Sequence, residues 1–203
     1  INCKDSNGNP ALVLAAKRKD EKMVTLLLTS RQIDINLAAS NENTTALFYC
    51  AKYHLLNSVQ LLVQKKEVHI NTYNNELESP LSIAVKESNS LEKKPKIVNT
   101  LLMSGAYIDH TNKDGNSVLM QAVLQPDTNI IGVLLSQEKI NLNLKNNKND
   151  SVLSLAIKEN KLACFKELIQ KGKTKFETKI LEDALKVLIS LEGETEAQNR
   201  QHL

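Results

Sequence analysis

The side chains that could carry chemistry are few and lie far apart. The chain has four histidines and three cysteines, which are His54, His69, His110, His202, Cys3, Cys50 and Cys164. Only Cys50 and His54 have the i, i+4 spacing that brings a thiol and an imidazole to one face of a helix. No third polar group completes a nucleophilic site, and no metal-ligand spacing is present. The pair is therefore interpreted as incidental.

Sequence motifs for other chemistry are also absent. The chain has no phosphate-binding G-x-x-x-x-G-K-[ST] loop, no G-x-S-x-G elbow and no H-E-x-x-H pair. The sequence thus predicts a protein that is not an enzyme, with no catalytic residue, no cofactor and no metal site.

Composition and charge restrict the class of protein. Hydrophobic residues make up 41% and charged residues 24%, which is ordinary for a soluble folded protein. A net charge of +3 is too small to indicate nucleic acid or a membrane surface, and no apolar run reaches the ~18 residues of a membrane span. The odd number of widely spaced cysteines favours reduced thiols, so we expect an intracellular, cytoplasmic protein.

A two-part pattern recurs five times, and four of the copies add a third part at Ile35-Asn36, Ile70-Asn71, Ile108-Asp109 and Leu142-Asn143. Each copy starts with a leucine that is followed three residues later by Ala or Cys, and these leucines are Leu12, Leu47, Leu81, Leu119 and Leu153. A second apolar pair follows in each copy: Leu27-Leu28, Leu62-Val63, Leu101-Leu102, Leu134-Leu135 and Leu168-Ile169. The leucine spacings of 35, 34, 38 and 34 residues predict a stacked solenoid.

Spacing within one copy predicts its local structure. Apolar residues recur at helical intervals over residues 12–19 and again over residues 23–28, with room for only a tight turn between them. Each copy is therefore predicted to form two short antiparallel helices. The polar, Asn-rich residues 33–43 predict an extended loop or β-turn to the next copy.

The repeated pattern resembles the ankyrin repeat, whose motif is Thr-Pro-Leu-His-x-Ala at a period near 33 residues. The best local matches are Ser79-Pro80-Leu81 with Ala84, Asp114-Gly115-Asn116-Ser117 before Leu119, and Gly105-Ala106-Tyr107-Ile108-Asp109. The resemblance covers residues 1–172. The motif histidine is replaced throughout, and the glycine positions hold Lys19, His54 and Asn160.

The resemblance implies an all-α ankyrin-repeat solenoid over residues 1–173. The predicted repeats are 4–37, 38–72, 73–110, 111–144 and 145–173, with residues 1–3 resembling the end of an earlier repeat. Repeat three carries an insertion at Ser88–Lys96. Residues 174–191 are predicted to form a capping helix, with its apolar stripe starting at Phe176, and residues 192–203 a polar tail.

In the ankyrin family, stacked repeats present a concave surface that binds another protein. The resemblance places there the residues that follow each Ala pair: Lys17, Arg18, Lys52, Tyr53, Lys86, Glu87, Leu124, Gln125 and Lys158. Lysine in four of five repeats predicts a basic column, with Leu124 and Tyr53 as apolar anchors. The loop tips are acidic, at Glu42, Glu76, Glu78, Asp114 and Asp150.

These features predict a monomeric protein-interaction module whose partner is a protein with an acidic segment, and they disfavour nucleic acid. The alternative is a substrate-recruiting domain of a larger enzyme, for example a bacterial effector acting in the host cytoplasm. In the ankyrin family the asparagine that ends a repeat can be hydroxylated by a cellular oxygenase. The resemblance assigns that position to Asn36, Asn71 and Asn143, whereas repeat three has Asp109.

Overall fold

A computed structural model describes residues 1–87, 92–172, 176–187 and 189, and these residues form helices joined by loops. The helices are α1 (Ala11–Lys17), α2 (Glu21–Leu28), α3 (Ala46–Lys52), α4 (Leu56–Val63), α5 (Pro80–Lys86), α6 (Lys93–Met103), α7 (Val118–Val123), α8 (Asn129–Leu135), α9 (Val152–Lys158), α10 (Leu162–Gly172) and α11, which comprises residues 178–187. The described part of the chain contains two isolated β-bridges, Lys4–Pro10 and Lys145–Ser151, and no strand. The all-α prediction is confirmed.

Each of the five sequence repeats forms a helix pair, and the pairs divide between two compact units. In the first unit, Ile1–Lys113, the first helices α1, α3 and α5 pack side by side, as do the second helices α2, α4 and α6. In the second unit, from Asp114 onward, α7 packs on α9 and α8 on α10. The repeated leucines and alanines are buried in the first helices, with Leu47 at 1% and Ala84 at 0% exposure.

Hydroxyl side chains determine where most first helices begin. Thr45, Ser79, Ser117 and Ser151 each stand at the N-cap and accept a hydrogen bond from the backbone N–H three residues on. This bond satisfies one of the amide groups that have no partner inside the helix. The position matches the Thr of the sequence motif, so the motif itself starts the helix.

A left-handed residue ends three of the first helices. Lys19, His54 and Asn160, which replace glycine, have φ of 59°, 52° and 52°. After α1, the Lys19 N–H donates to the Ala16 carbonyl, and the N–H of Asp20 donates to the carbonyl of Ala15. This pair of bonds closes the helix end in the Schellman manner, and the same pair recurs after α3 and α9.

Helix α5 ends differently because the insertion follows it. Glu87 is extended, with φ −76° and ψ 137°, so the chain leaves the helical conformation directly after Lys86. Side chains satisfy the terminal carbonyls instead: His54 Nε2 donates to Ala84 O at 3.0 Å, and Lys94 Nζ donates to Val85 O at 3.1 Å. Lys94 is 0% exposed. Residues 88–91 of the insertion lie outside the described residues.

The buried His54 makes the stability of this region depend on pH. Burial lowers the pKa of His54, and the Lys94 ammonium lowers it further, against the opposing effects of the Ala84 carbonyl and Glu87. Lys93 adds to the lowering. The Nδ1 atom is buried with no hydrogen-bond partner among the described residues, so a proton placed there is unfavourable.

We therefore expect the free energy of unfolding to fall on acidification. The unfolded chain binds a proton at His54 near the ordinary pKa of about 6.5, and the folded chain binds it only at lower pH. The stabilisation from the neutral His54 is fully present above the ordinary pKa. It is lost as the pH falls from the ordinary pKa toward the lowered pKa of the folded chain. Urea unfolding at neutral and mildly acidic pH should show less of this loss in His54→Asn than in wild type. The control variant His69→Asn, which changes an exposed histidine, should lose as much unfolding free energy on acidification as wild type. Equal losses in the two variants would contradict the assignment of the effect to His54.

The segment from Phe176 through the last helix, α11, lies against repeat five. The Phe176 ring lies against Gly172, where an added Cβ would approach it to 2.7 Å. Ile180 and Ala184 are buried at 3% and 4% exposure. Asn143 Oδ1 accepts the Glu177 N–H at 2.9 Å. The structure shows helical residues from 178 onward, and the role of this segment as a cap of the array stays a prediction.

Two features of the cap differ from the prediction. Phe176 precedes the helix rather than starting it, because its ring packs on Gly172 while Asn143 binds the next backbone N–H. The apolar stripe is only partly covered, since Leu181 and Leu185 are 39% and 57% exposed. Leu188, Leu191 and the polar tail 192–203 lie outside the described residues.

The asparagine that ends a repeat holds the following loop. Asn36 Oδ1 accepts from His69 N at 2.7 Å, and its Nδ2 donates to Glu67 O at 2.7 Å. Asn71 makes the equivalent pair of bonds to Tyr107 N and Gly105 O. These side chains therefore link successive repeats, and hydroxylation at these positions stays a prediction.

Candidate protein-binding surface

The predicted lysine positions lie at the C-terminal ends of the first helices. Lys17, Lys52 and Lys86 are the last residues of α1, α3 and α5, which are neighbours in the first unit. Lys158 ends α9 in the second unit. Each is positioned by a buried apolar stretch just before it, so the side chain emerges at the edge of the packed layer.

Two of these lysines are neutralised within their own repeat. Lys86 Nζ lies 2.7 Å from Glu78 Oε1, and Lys158 Nζ lies 2.6 Å from Asp150 Oδ1. Both carboxylate side chains are 9% exposed, whereas the lysine side chains are 51% and 45% exposed, so the acids are shielded from water and the lysines are not. Glu78 and Asp150 therefore point into the repeat, although their positions next to the loop tips had suggested exposed acidic groups. In each pair the lysine comes eight residues after its acid, and the fold of the repeat brings the two side chains together.

Lys17 is held by a different set of groups. Its Nζ donates to Asn9 Oδ1 at 2.9 Å, lies 3.6 Å from Glu42 Oε1 and stands 4.8 Å from the centre of the Tyr49 ring. The Tyr49 hydroxyl donates to Glu42 Oε2. Burial, followed by this hydrogen bond, raises the pKa of Tyr49, and the same bond lowers the pKa of Glu42. Glu42 is thus an ion at neutral pH that offsets Lys17.

Basic charge remains around Tyr53. Its ring stacks on the buried Tyr49 at 6.1 Å between centroids. Lys19 Nζ and Lys52 Nζ lie 4.8 and 6.0 Å from the Tyr53 centroid. In the part of the chain that the structure describes, Arg18, Lys19 and Lys52 form no ion pair. We call Arg18, Lys19, Lys52 and Tyr53 the Tyr53 cluster.

Sequence reasoning missed Lys19, although a signal was present. Lys19 stands at a glycine position of the motif, where a left-handed residue turns the chain from α1 to α2. That turn brings its side chain alongside Tyr53 of the next repeat. A basic residue at such a position could therefore have been counted with the surface.

The loop tips are preformed by asparagine and aspartate side chains. Asn74 Oδ1 accepts from the N–H groups of Glu76 and Glu78 at 2.9 and 2.8 Å, and Asn146 Oδ1 accepts equivalently from Lys148 and Asp150. Such turns fix the backbone without a partner. The tip residues Glu42, Glu76 and Asp114 are exposed.

One tip residue is conformationally strained. The left-handed tip position is occupied by Gly8, Asn43, Leu77, Gly115 and Asn149. Glycine and asparagine tolerate this region, whereas Leu77 adopts φ 57° with 45% of the residue exposed. We expect Leu77→Asn to raise the free energy of unfolding by about 0.5–1 kcal/mol. Urea unfolding should show this increase in the free energy of unfolding. The control variant Leu26→Asn, which changes an exposed residue of α2, should show none. No increase for Leu77→Asn would contradict a strained tip.

The second unit gathers several predicted residues around one hollow. Leu124, Asp114, Asp150 and Lys158 line a space of about 430 Å³ together with Leu155. Leu124 is half-buried as the C-cap of α7. Gln125 is also half-buried, and its Nε2 donates to Gln121 O. In the first unit, Glu87 caps α5.

Similarity to known proteins is found over the residues that form the repeats. A family model described as ankyrin repeats (3 copies) matches residues 1–74 and 81–179. The chain belongs to the ankyrin-repeat family. It is 32% identical over 105 residues to the nuclear factor NF-kappa-B p105 subunit of Gallus gallus, covering 51% of this chain and 10% of that protein. It is 30% identical over 145 residues to the p105 subunit of Rattus norvegicus, covering 66% of this chain and 14% of that protein.

This ankyrin-repeat chain carries few groups suited to covalent chemistry. Burial, with a smaller effect of Glu21, raises the pKa of the Cys50 thiol to about 12, so Cys50 is not a thiolate at neutral pH. No group of three or more His, Cys, Asp or Glu side chains within the described ranges is placed to hold a metal ion. Among the helices described, none is both long and apolar enough to cross a membrane.

Proposed function

We propose that this ankyrin-repeat chain binds a partner protein through the ends of its first helices and that the partner presents an acidic segment. Ankyrin repeats are generally protein-interaction modules, and the fold is typically non-enzymatic. The observation that carries the proposal is the Tyr53 cluster, where three cations lack a carboxylate partner within the described residues. Opposite charge on a partner would be attracted there at long range.

The structure supports a narrower surface than a column of four lysines. In the first unit, Lys86 already has a carboxylate partner, so we assign it with Glu87 to the periphery. In the second unit, Lys158 is likewise paired, and we propose it with Leu124 and Gln125 as contacts of that unit by itself. Arg18, Lys52 and Tyr53 are proposed as central contacts. Lys17, which Glu42 offsets, and the exposed tips Glu42 and Glu76 are proposed as peripheral contacts of the first unit, and Asp114 as a contact of the second unit.

We further propose that the chain acts as a monomer in the cytoplasm. The three cysteines are free, and Cys50 and Cys164 are buried, as suits a reducing compartment. The chain spans 10% and 14% of the lengths of the two relatives. An array of this kind could therefore also recruit substrates for a catalytic domain of a longer protein, such as an effector acting in a host cell. Assay of the full-length protein for activity separates the two roles.

Affinity capture tests the proposal. The immobilised chain and an Arg18→Glu, Lys52→Glu variant are compared for proteins retained from a cell extract at low and at high salt. We expect wild type to retain acidic partners whose binding weakens with salt, and the variant to retain less of them. Lys86→Glu is avoided because the new carboxylate would face the buried Glu78. Equal capture by wild type and variant, unaffected by salt, would exclude this surface.

A further inference from the structure

We infer that the Tyr53 cluster is a discrete subsite for two neighbouring carboxylates of an extended acidic peptide. The inference rests on the proposed function and narrows it from a face to one place. It commits the partner to a particular chemistry, in which two aspartate or glutamate side chains meet two lysines that both lie close to one tyrosine ring.

The tyrosine ring at the centre is held in place from below. Tyr49 is 3% exposed, and its hydroxyl is tied to Glu42. Tyr53 stacks on it with an interplanar angle of 27°. Burial and the Glu42 bond hold Tyr49 in place. The ring on which Tyr53 stacks is therefore already positioned before a partner binds. A preformed platform reduces the ordering that binding requires.

Two ammonium groups converge on that platform from different repeats. Lys19 comes from the left-handed turn after α1, and Lys52 from the end of α3. Their Nζ atoms lie 4.8 and 6.0 Å from the Tyr53 centroid, within reach of the ring electrons. The ring orients the lysines but contributes no formal charge, so both ammonium groups keep their charge for a ligand. Arg18 adds an exposed guanidinium next to Lys19 in the chain.

Neighbouring lysines show why the site is confined to this cluster. Lys17 is offset by Glu42, and Lys86 by Glu78, at 3.6 and 2.7 Å. An acidic peptide would have to displace those carboxylates, whereas at Lys19 and Lys52 no ion pair within the described residues has to be broken. Lys52 does contribute to lowering the pKa of the nearby Glu42, but the two form no ion pair within the described residues.

An acidic peptide fits this site better than a nucleic acid. A strand of nucleic acid needs a continuous basic track and several stacking rings. Here the basic cluster is adjoined by the ionised Glu42, and Tyr53 is the half-buried ring at its centre. A short peptide with two carboxylates needs only the space over one ring.

Fluorescence anisotropy with defined probes tests the subsite on the full chain. The probes are a fluorescein-labelled 12-residue peptide of alternating Glu and Gly, the same peptide with Gln for Glu, and a labelled single-stranded dT oligonucleotide. We expect wild type to bind the Glu peptide at least about tenfold more tightly than the Gln peptide, with added salt weakening it. Preference for the oligonucleotide over the Glu peptide would overturn the inference.

Matched variants locate the binding. Lys19→Gln with Lys52→Gln should raise the Kd for the Glu peptide about tenfold, and Tyr53→Leu several-fold, because leucine fills space but lacks the ring electrons. Lys22→Gln with Lys66→Gln removes the same charge from exposed positions outside the cluster and should change the Kd less than about twofold. Circular dichroism and melting curves establish that each variant is folded.

The outcomes separate this inference from the broader proposal. Equal effects of the cluster variant and its control would show that the peptide responds to net charge alone, and would overturn the subsite. The affinity capture could still succeed in that case, because it reports any protein partner on the wider surface. Loss of capture with retained peptide binding would instead remove the proposed function.

Discussion

Replacing Lys94 with alanine should lower the free energy of unfolding by about 2–4 kcal/mol. Lys94 is fully buried, and its ammonium donates to the Val85 carbonyl at the end of α5. Alanine leaves that carbonyl without this donor and creates a cavity where the lysine stem packed. The ammonium also lies at the negative end of the α5 dipole, so the favourable interaction with that dipole is lost as well.

Lys94→Met is the matched control, because methionine retains most of the lysine stem. It removes the hydrogen bond but also the cost of burying a charge, so we expect a loss of only about 0–1.5 kcal/mol. Urea unfolding followed by circular dichroism measures both variants. If alanine and methionine cost the same, the contribution of Lys94 is electrostatic rather than packing; if neither costs more than about 0.5 kcal/mol, the end of α5 does not depend on this side chain.

The first helices were predictable because their information is local. Leu81 and Ala84 lie three residues apart and face the core, and Ser79 immediately before them supplies the N-cap hydrogen bond. Each repeat states the same arrangement again, so five weak local signals reinforce one another. This repetition is why divergent copies without the motif histidine still specified the fold.

The charge distribution was less predictable because it depends on how each repeat folds back. Lys86 and Glu78 are eight residues apart and were assigned to opposite parts of the surface, yet they form an ion pair in which the carboxylate is buried. Lys19 was not among the predicted surface residues, because only the left-handed turn of the folded chain brings it beside Tyr53. Side-chain reach across a turn is a matter of ångströms, which residue spacing alone does not resolve.

The end of α5 was the least predictable part of the fold. The insertion was evident from the spacing of the leucines, but its consequence for His54 was not. His54 comes from the preceding repeat and donates to a carbonyl 30 residues further on. Such a contact arises only after two repeats stack, so it has no signature within either repeat.

Removing the cap is expected to have the largest effect on the second unit. Deleting residues 174–203 should uncover Phe165, Leu168 and Ile169 of repeat five, of which Leu168 is 0% exposed. Terminal repeats of stacked arrays need a covering element to remain soluble. We therefore expect a loss of several kcal/mol of unfolding free energy and increased aggregation, measured by thermal unfolding and light scattering.

Two substitutions within α11 distinguish the stabilisation that comes from its buried side chains from any effect of the additional length of chain. Ile180 is 3% exposed and Leu185 is 57% exposed on the same helix. Ile180→Ala should cost about 2–4 kcal/mol, whereas Leu185→Ala should stay within about 0.5–1 kcal/mol, because Ile180 is buried and leaves a cavity, while Leu185 is more than half exposed. Similar small costs at both positions, together with an unchanged melting temperature for the deletion, would show that α11 rests on the array without capping it. A large cost at Ile180 alone would establish that the buried side of this helix, rather than its presence, stabilises the last repeat.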